Sequence, residues 1–165
     1  MIALAAHFRR CERATASVEM ALMLPLLLVL LFGGLEAGYF MYVEHQVLKG
    51  VRDGARYGSR QSFLDATCTT ITPAVKTAIQ EVTRTGMPSG GLPRVPGWDD
   101  NATEVTVTPS CPTTPLTTGI YKGATNAPQI NISATVPYPS LFNALGLIDV
   151  NITLRATQQT AVMGI

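Results

Sequence analysis

The sequence predicts an α+β protein: a long N-terminal membrane-embedded α-helix, followed by a short helix and a small antiparallel β-sheet of about three strands. Three observations predict it. Residues 20–35 form an uncharged, Leu-rich run held between Glu19 and Glu36. Val75, Ala78, Ile79 and Val82 recur at helical spacing behind Thr72-Pro73. Three later segments alternate apolar and polar residues, as half-buried strands do. The chain has 165 residues, enough for one modest domain and one appended element. Its net charge is +1 with 14% charged residues, well under the usual ~25%. That balance argues against a basic nucleic-acid-binding surface, and 47% hydrophobic residues argue against general disorder.

Taken in order, residues 1–14 are a short basic leader with Arg9, Arg10 and Arg13. The apolar run behind it would extend ~24 Å as a helix, and flanking residues lengthen it towards a ~30 Å hydrocarbon core. The membrane segment is therefore placed at 15–43, with Tyr39, Phe40 and Tyr42 suited to an interfacial belt. The alternatives are a buried core helix and a cleaved secretory signal. The signal fits poorly, because apolar character continues past Gly33-Gly34 into Leu35 and the aromatics. Positive charge flanks both ends, with Lys49, Arg52, Arg56 and Arg60 on the far side. Long C-terminal regions translocate largely regardless of charge, so the N-terminus is expected in the cytoplasm and residues 44–165 outside it.

Glu19 lies at the apolar end of the run, where a carboxylate needs a partner or the headgroup region. Pro25 removes a backbone donor and should bend the helix, although membrane helices also tolerate proline. Gly34 and Gly38, then Gly50, Gly54 and Gly58, repeat at four-residue spacing and leave helix faces open to close approach. A helix–helix contact is expected for the first pair, and packing on the chain's own sheet for the other three. Arg52, Arg56 and Arg60 share a face, read as a solvated stripe balanced by Asp53 and Asp65, or else as a docking face. His45 stands beside Glu44 with no nucleophile near it in sequence.

The short helix is expected at 73–85, opened by Pro73 and stopped by Gly86. Residues 86–98, rich in Gly and Pro around Trp98, read as an exposed loop. Strands are expected at 104–108, 129–136 and 150–157, their apolar face covered by the short helix and the end of the long one. The crossover 137–148 carries Leu141, Phe142, Leu145, Leu147 and Ile148, which either touch lipid or a partner or close the domain's own core. Cys68 and Cys111 fall on the outer side and can pair there, or stand as two free thiols, while Cys11 stays in the leader. Asn101, Asn131 and Asn151 match a short glycosylation pattern that Thr-rich sequence produces often. Phosphate loops, nucleophile elbows and metal-ligand spacings are missing, so neither catalysis nor a cofactor is expected.

Arg13-Ala-Thr-Ala-Ser-Val-Glu19-Met20-Ala-Leu22, the apolar run with Pro25, Leu35-Glu-Ala-Gly38 and Val51-Arg-Asp-Gly-Ala-Arg-Tyr-Gly58 resemble the N-terminus of TadE-like minor pilins. These are pseudopilins of the tight-adherence (Tad/Flp) branch of type IV filaments. The resemblance covers 9–60 well and the rest only in general pattern. It implies that 1–14 is a prepilin leader, removed by a prepilin peptidase between Ala14 and Thr15, leaving Glu19 as the fifth mature residue. Glycine is more usual before the cut; Ala14 departs from that but remains small. The new ammonium at Thr15 would lie one helical turn from Glu19, able to pair with it or with Glu19 of a neighbouring subunit. The implied function is a minor pilin that assembles or initiates a pilus used in surface adhesion. Implied partners are the peptidase, other minor pilins, the major Flp pilin, the inner-membrane assembly platform and the lipid bilayer. The implied location is the bacterial inner membrane with the C-terminal domain in the periplasm. The competing expectation is a single-pass envelope protein whose outer domain binds a ligand and whose helix is only a tether.

Overall fold

In the computed structural model the long helix, α1, runs from Glu12 to Ser59 with Pro25 inside it. The structure describes residues 12–99, 104–112, 121, 127–144, 146 and 151–164, with side chains from Ala16 onward in α1. Cys11, Asn101, Leu145, Leu147, Ile148 and Val150 lie outside the described residues. The chain divides into two units, Met1–Tyr39 and Phe40–Ile165.

In the first unit the large apolar side chains from Val18 to Phe32 point outward, Leu22 being 71% exposed and Val29 70%. Their number exceeds the scattered exposure of an ordinary soluble surface, so the alternative of a buried core helix does not hold. By length and composition the helix can cross a membrane.

The second unit begins where α1 acquires an inward face. Val43, Val47 and Val51 are each 1% exposed and Ala55 follows on the same stripe, the four-residue spacing of a helix packed along one side. A loop from Arg60 leads to Cys68 and then to α2, Pro73–Thr85. Pro73 occupies the first turn, where a missing N–H costs nothing. Gly86 ends the helix at φ 89°, a left-handed conformation that glycine adopts without strain, and its N–H donates to the Val82 carbonyl at 2.9 Å. The boundaries match the expected 73–85.

Three antiparallel strands follow in the order β1-β2-β3: Val105–Ser110, Gln129–Pro137 and Thr153–Ala161. Ile130, Ile132, Ala134 and Val136 of β2 alternate inward and form the centre of the core with Val105, Val107, Leu154 and Ala156. α2 lies against β1, where the buried Gln80 side-chain amide donates to the Val105 carbonyl at 2.7 Å. β1 runs two residues beyond the expected 108 and includes Pro109, which an edge strand tolerates because its outer side needs no donor. β3 starts three residues later than expected and ends four later. Its register is set by β2, from Gln129 opposite Ala161 to Pro137 opposite Thr153. Ile152, expected on the core face, is 43% exposed.

The loop 86–98 departs from the sequence reading. Met87 and Leu92 are exposed, but Trp98 is fully buried and Val95 nearly so. The loop folds back because the Arg94 N–H bonds the Arg84 carbonyl at 3.0 Å, and the Trp98 ring reaches the space that Gly50 leaves on α1. A large aromatic buries more apolar area than any other side chain nearby, and that gain outweighs the Gly/Pro-rich composition around it.

Candidate assembly surface and its supports

The sequence-predicted site residues fall into two groups, one in each unit. In the first unit the helical backbone runs through Ala14 and Thr15, and Glu19 and Pro25 are exposed one and three turns on. Gly34 and Gly38 have no atom within 4 Å of the position a Cβ would take. This open, small-residue stripe on an apolar helix is the geometry that lets a second helix approach closely.

The other glycines do a different job. A Cβ on Gly50 would meet the backbone carbonyl oxygen of Thr83, and one on Gly54 would meet the Thr83 hydroxyl. Thr83 is fully buried, and its hydroxyl donates to the Ile79 carbonyl at 2.8 Å. Gly58 faces Ile130 at 3.2 Å and Ile79 at 3.3 Å. Gly58 thus faces both β2 and α2, whereas Gly50 and Gly54, expected on the sheet, face Thr83 of α2.

The basic stripe is exposed at Arg52, Arg56 and Arg60, and Arg52 and Arg56 border an open groove along α1 together with His45 and Lys49. Its expected balance is altered. Asp53 is held chiefly by Arg94, at 2.7 Å, with Arg56 only at 4.0 Å. Asp65 instead accepts from the Ser62 hydroxyl at 2.7 Å. Arg94 carried no sequence signal, since it sits in a Gly/Pro-rich loop 41 positions from its partner. Arg84 similarly pairs with Glu81 at 3.2 Å, an i,i+3 spacing that could have been read on the helix.

Cys68 and Cys111 are joined as a disulfide with Cα atoms 5.2 Å apart, linking the loop before α2 to the end of β1. Tyr121 donates its hydroxyl to the Val162 carbonyl and packs its ring edge-on to Phe63. Burial pushes the Tyr121 phenol above its ordinary 10.0. Among the described residues no cluster of three His, Cys, Asp or Glu side chains could hold a metal ion.

The sequence model of the TadE-like protein family matches residues 14–56. Over this segment the chain is similar to that family. The match begins at the residue before the expected cut and ends on α1 at Arg56, taking in Glu19, Pro25, Gly34, Gly38, Gly50 and Gly54. The TadE-like resemblance seen in the residues is thereby supported over the helix that carries it. TadE-like pilins are structural rather than catalytic components of the Tad system. No curated protein and no solved structure matches the chain.

Proposed function

We propose that this chain is a minor pilin or pseudopilin of a Tad/Flp pilus, anchored in the bacterial inner membrane and taking part in assembly or initiation of the filament. One observation carries the reading: a single helix serves as both an exposed apolar span and the spine of a folded unit, and residues 14–56 of that helix are TadE-like. A tether would need length and apolarity but no particular residue within the span. Here Glu19, Pro25 and the open Gly34/Gly38 face lie on that span. In this reading residues 1–14 are cytoplasmic and are cut away between Ala14 and Thr15, and residues 44–165 lie in the periplasm. The Thr15 ammonium so created offsets the Glu19 carboxylate within one helix or between neighbours, reducing the cost of either charge near lipid. The peptidase, other minor pilins, the major pilin, the assembly platform and the bilayer are its partners; it acts by assembly and not as an enzyme.

N-terminal sequencing of protein extracted from membranes tests the processing step. Threonine, alanine, serine, valine and glutamate are expected as the first five residues. An intact leader, or a cut beyond the apolar run, would refute the cleavage. Glu19→Gln tests assembly: piliation is expected to fall while the protein stays in the membrane. Normal piliation would favour the tether.

A further inference from the structure

The outer unit carries a second apolar surface besides α1, and it lies at one end. Tyr138, just past β2, is buried with its ring centroid 5.2 Å from Phe40 in an edge-on contact. Its N–H donates to the Ile152 carbonyl at 2.8 Å, which brings the entry to β3 to the same place. Between them lies a one-turn helix, α3, Leu141–Ala144. Leu141 is three residues from Tyr138 and so within ~11 Å of it along the chain. Leu141 is 40% exposed and Ile152 43%, while Met41 and Tyr42, beside Phe40 on α1, are exposed too. Residues 137–144 include no charged side chain.

Phe40 and Tyr138 meet, and Ile152 and Leu141 lie near that contact through one hydrogen bond and three residues of chain. Phe40 is the first residue of the outer unit and follows the apolar run directly. An apolar, uncharged segment at the point where a helix leaves lipid has one medium to which it is suited: the boundary between headgroups and acyl chains, where aromatic and aliphatic side chains can bury while backbone groups stay hydrated.

We infer that the start of the β2–β3 crossover, residues 138–144 led by Leu141, is a lipid-binding foot that seats the outer domain in the interfacial layer of the bilayer. The inference rests on the membrane-anchored reading of α1. The foot supplies a second attachment point beside the helix, so the domain is held against the membrane surface rather than swinging on a tether. Charge supports the lipid over an acidic or basic protein partner, since residues 137–144 offer neither sign. The exposed apolar group Phe63, Leu64 and Met163 lies past the far end of α1, and Met87 and Leu92 lie on the loop after α2. Ser59 is ~28 Å along the helix from Phe40, beyond the reach of the same layer.

The test uses the full-length chain with Cys11→Ser, reconstituted in phosphatidylcholine–phosphatidylglycerol vesicles. Single cysteines at Leu141→Cys, Ala144→Cys, Met23→Cys and Leu64→Cys carry an environment-sensitive fluorophore, Cys68 and Cys111 being protected by their bridge. Expected are blue-shifted emission and loss of intensity to lipid-borne quenchers at 23, 141 and 144, the shallow quencher acting best on the last two. The label at 64 should instead respond to aqueous iodide. Labels at 141 and 144 that answer to iodide while 23 answers to lipid overturn the foot and leave the anchor standing. An iodide-quenched label at 23 overturns both. Ala144 is exposed, so its variant still reports should a change at Leu141 disturb folding.

Discussion

Gly50 is the residue at which one added carbon has the largest predictable effect. Its missing Cβ lets the Thr83 carbonyl and the Trp98 ring close on α1, and a backbone oxygen cannot swing aside as a long side chain could. Gly50→Ala should therefore push α1 and α2 apart and destabilise the outer unit by about 1–3 kcal/mol, the ordinary cost of overpacking. Gly34→Ala meets nothing within 4 Å, so it should leave thermal unfolding of the same unit unchanged. Paired melting curves of the two variants in detergent check this. Tyr121 gives the pH dependence. Its phenol is pushed above 10.0 by burial, so the folded unit favours the neutral, donating form that holds the Val162 carbonyl. The associated stability is fully present below pH 10.0 and is lost as pH rises through the higher folded value. Denaturant midpoints should be lower at alkaline pH than at neutrality. Tyr121→Phe should flatten that fall and lower stability at neutral pH.

Among the elements, the Cys68–Cys111 bridge joins two segments far apart in sequence. It closes a loop of 43 positions and ties the approach to α2 to the end of β1. Constraining the unfolded chain over such a loop is worth about 2–4 kcal/mol. That is a large part of the ~5–15 kcal/mol available to a whole domain. Cys68→Ser or Cys111→Ser should lower the midpoint of unfolding and the steady-state level in cells, whereas Cys11→Ser should change neither. Non-reducing mass spectrometry, together with quantitative blotting, reads both effects. The sheet offers little reserve: of its three strands β1 and β3 are both edges, at the lower limit of strand number for independent stability.

At the scale of the molecule the division after Tyr39 has a simple energetic meaning. Among the described residues every buried apolar side chain, from Val43 to Val162, belongs to the second unit. A fragment of residues 40–165 should therefore fold without the apolar span, unfold in a single transition and retain its disulfide. Circular dichroism melts with and without reductant, compared with the full chain in detergent, are the check. Broad, non-cooperative melting of the oxidised fragment would mean that the span itself supports the outer fold. The first unit has the opposite character, since among the described residues nothing shields its exposed leucines from water. Its stability belongs to whatever surrounds it.

Local signals sufficed wherever a residue's environment is set by its near neighbours. The apolar run of α1, the Pro73 start and Gly86 stop of α2, and the alternation of β2 are statements about spacing over a few positions, and the structure keeps them. The TadE-like segment was legible for the same reason, as a continuous stretch of one helix. Tertiary structure decided what depends on partners far away in sequence. Trp98 is buried because Gly50 leaves room for it, and Asp53 is satisfied by Arg94 from 41 positions off. The glycine stripe of α1 meets Thr83 before it meets the sheet, and β3 takes its limits from pairing with β2 and not from its own alternation. Periodicity tells a residue which way it faces; only the closed core determines what it faces, because each such contact forms between segments that loop closure must first bring together.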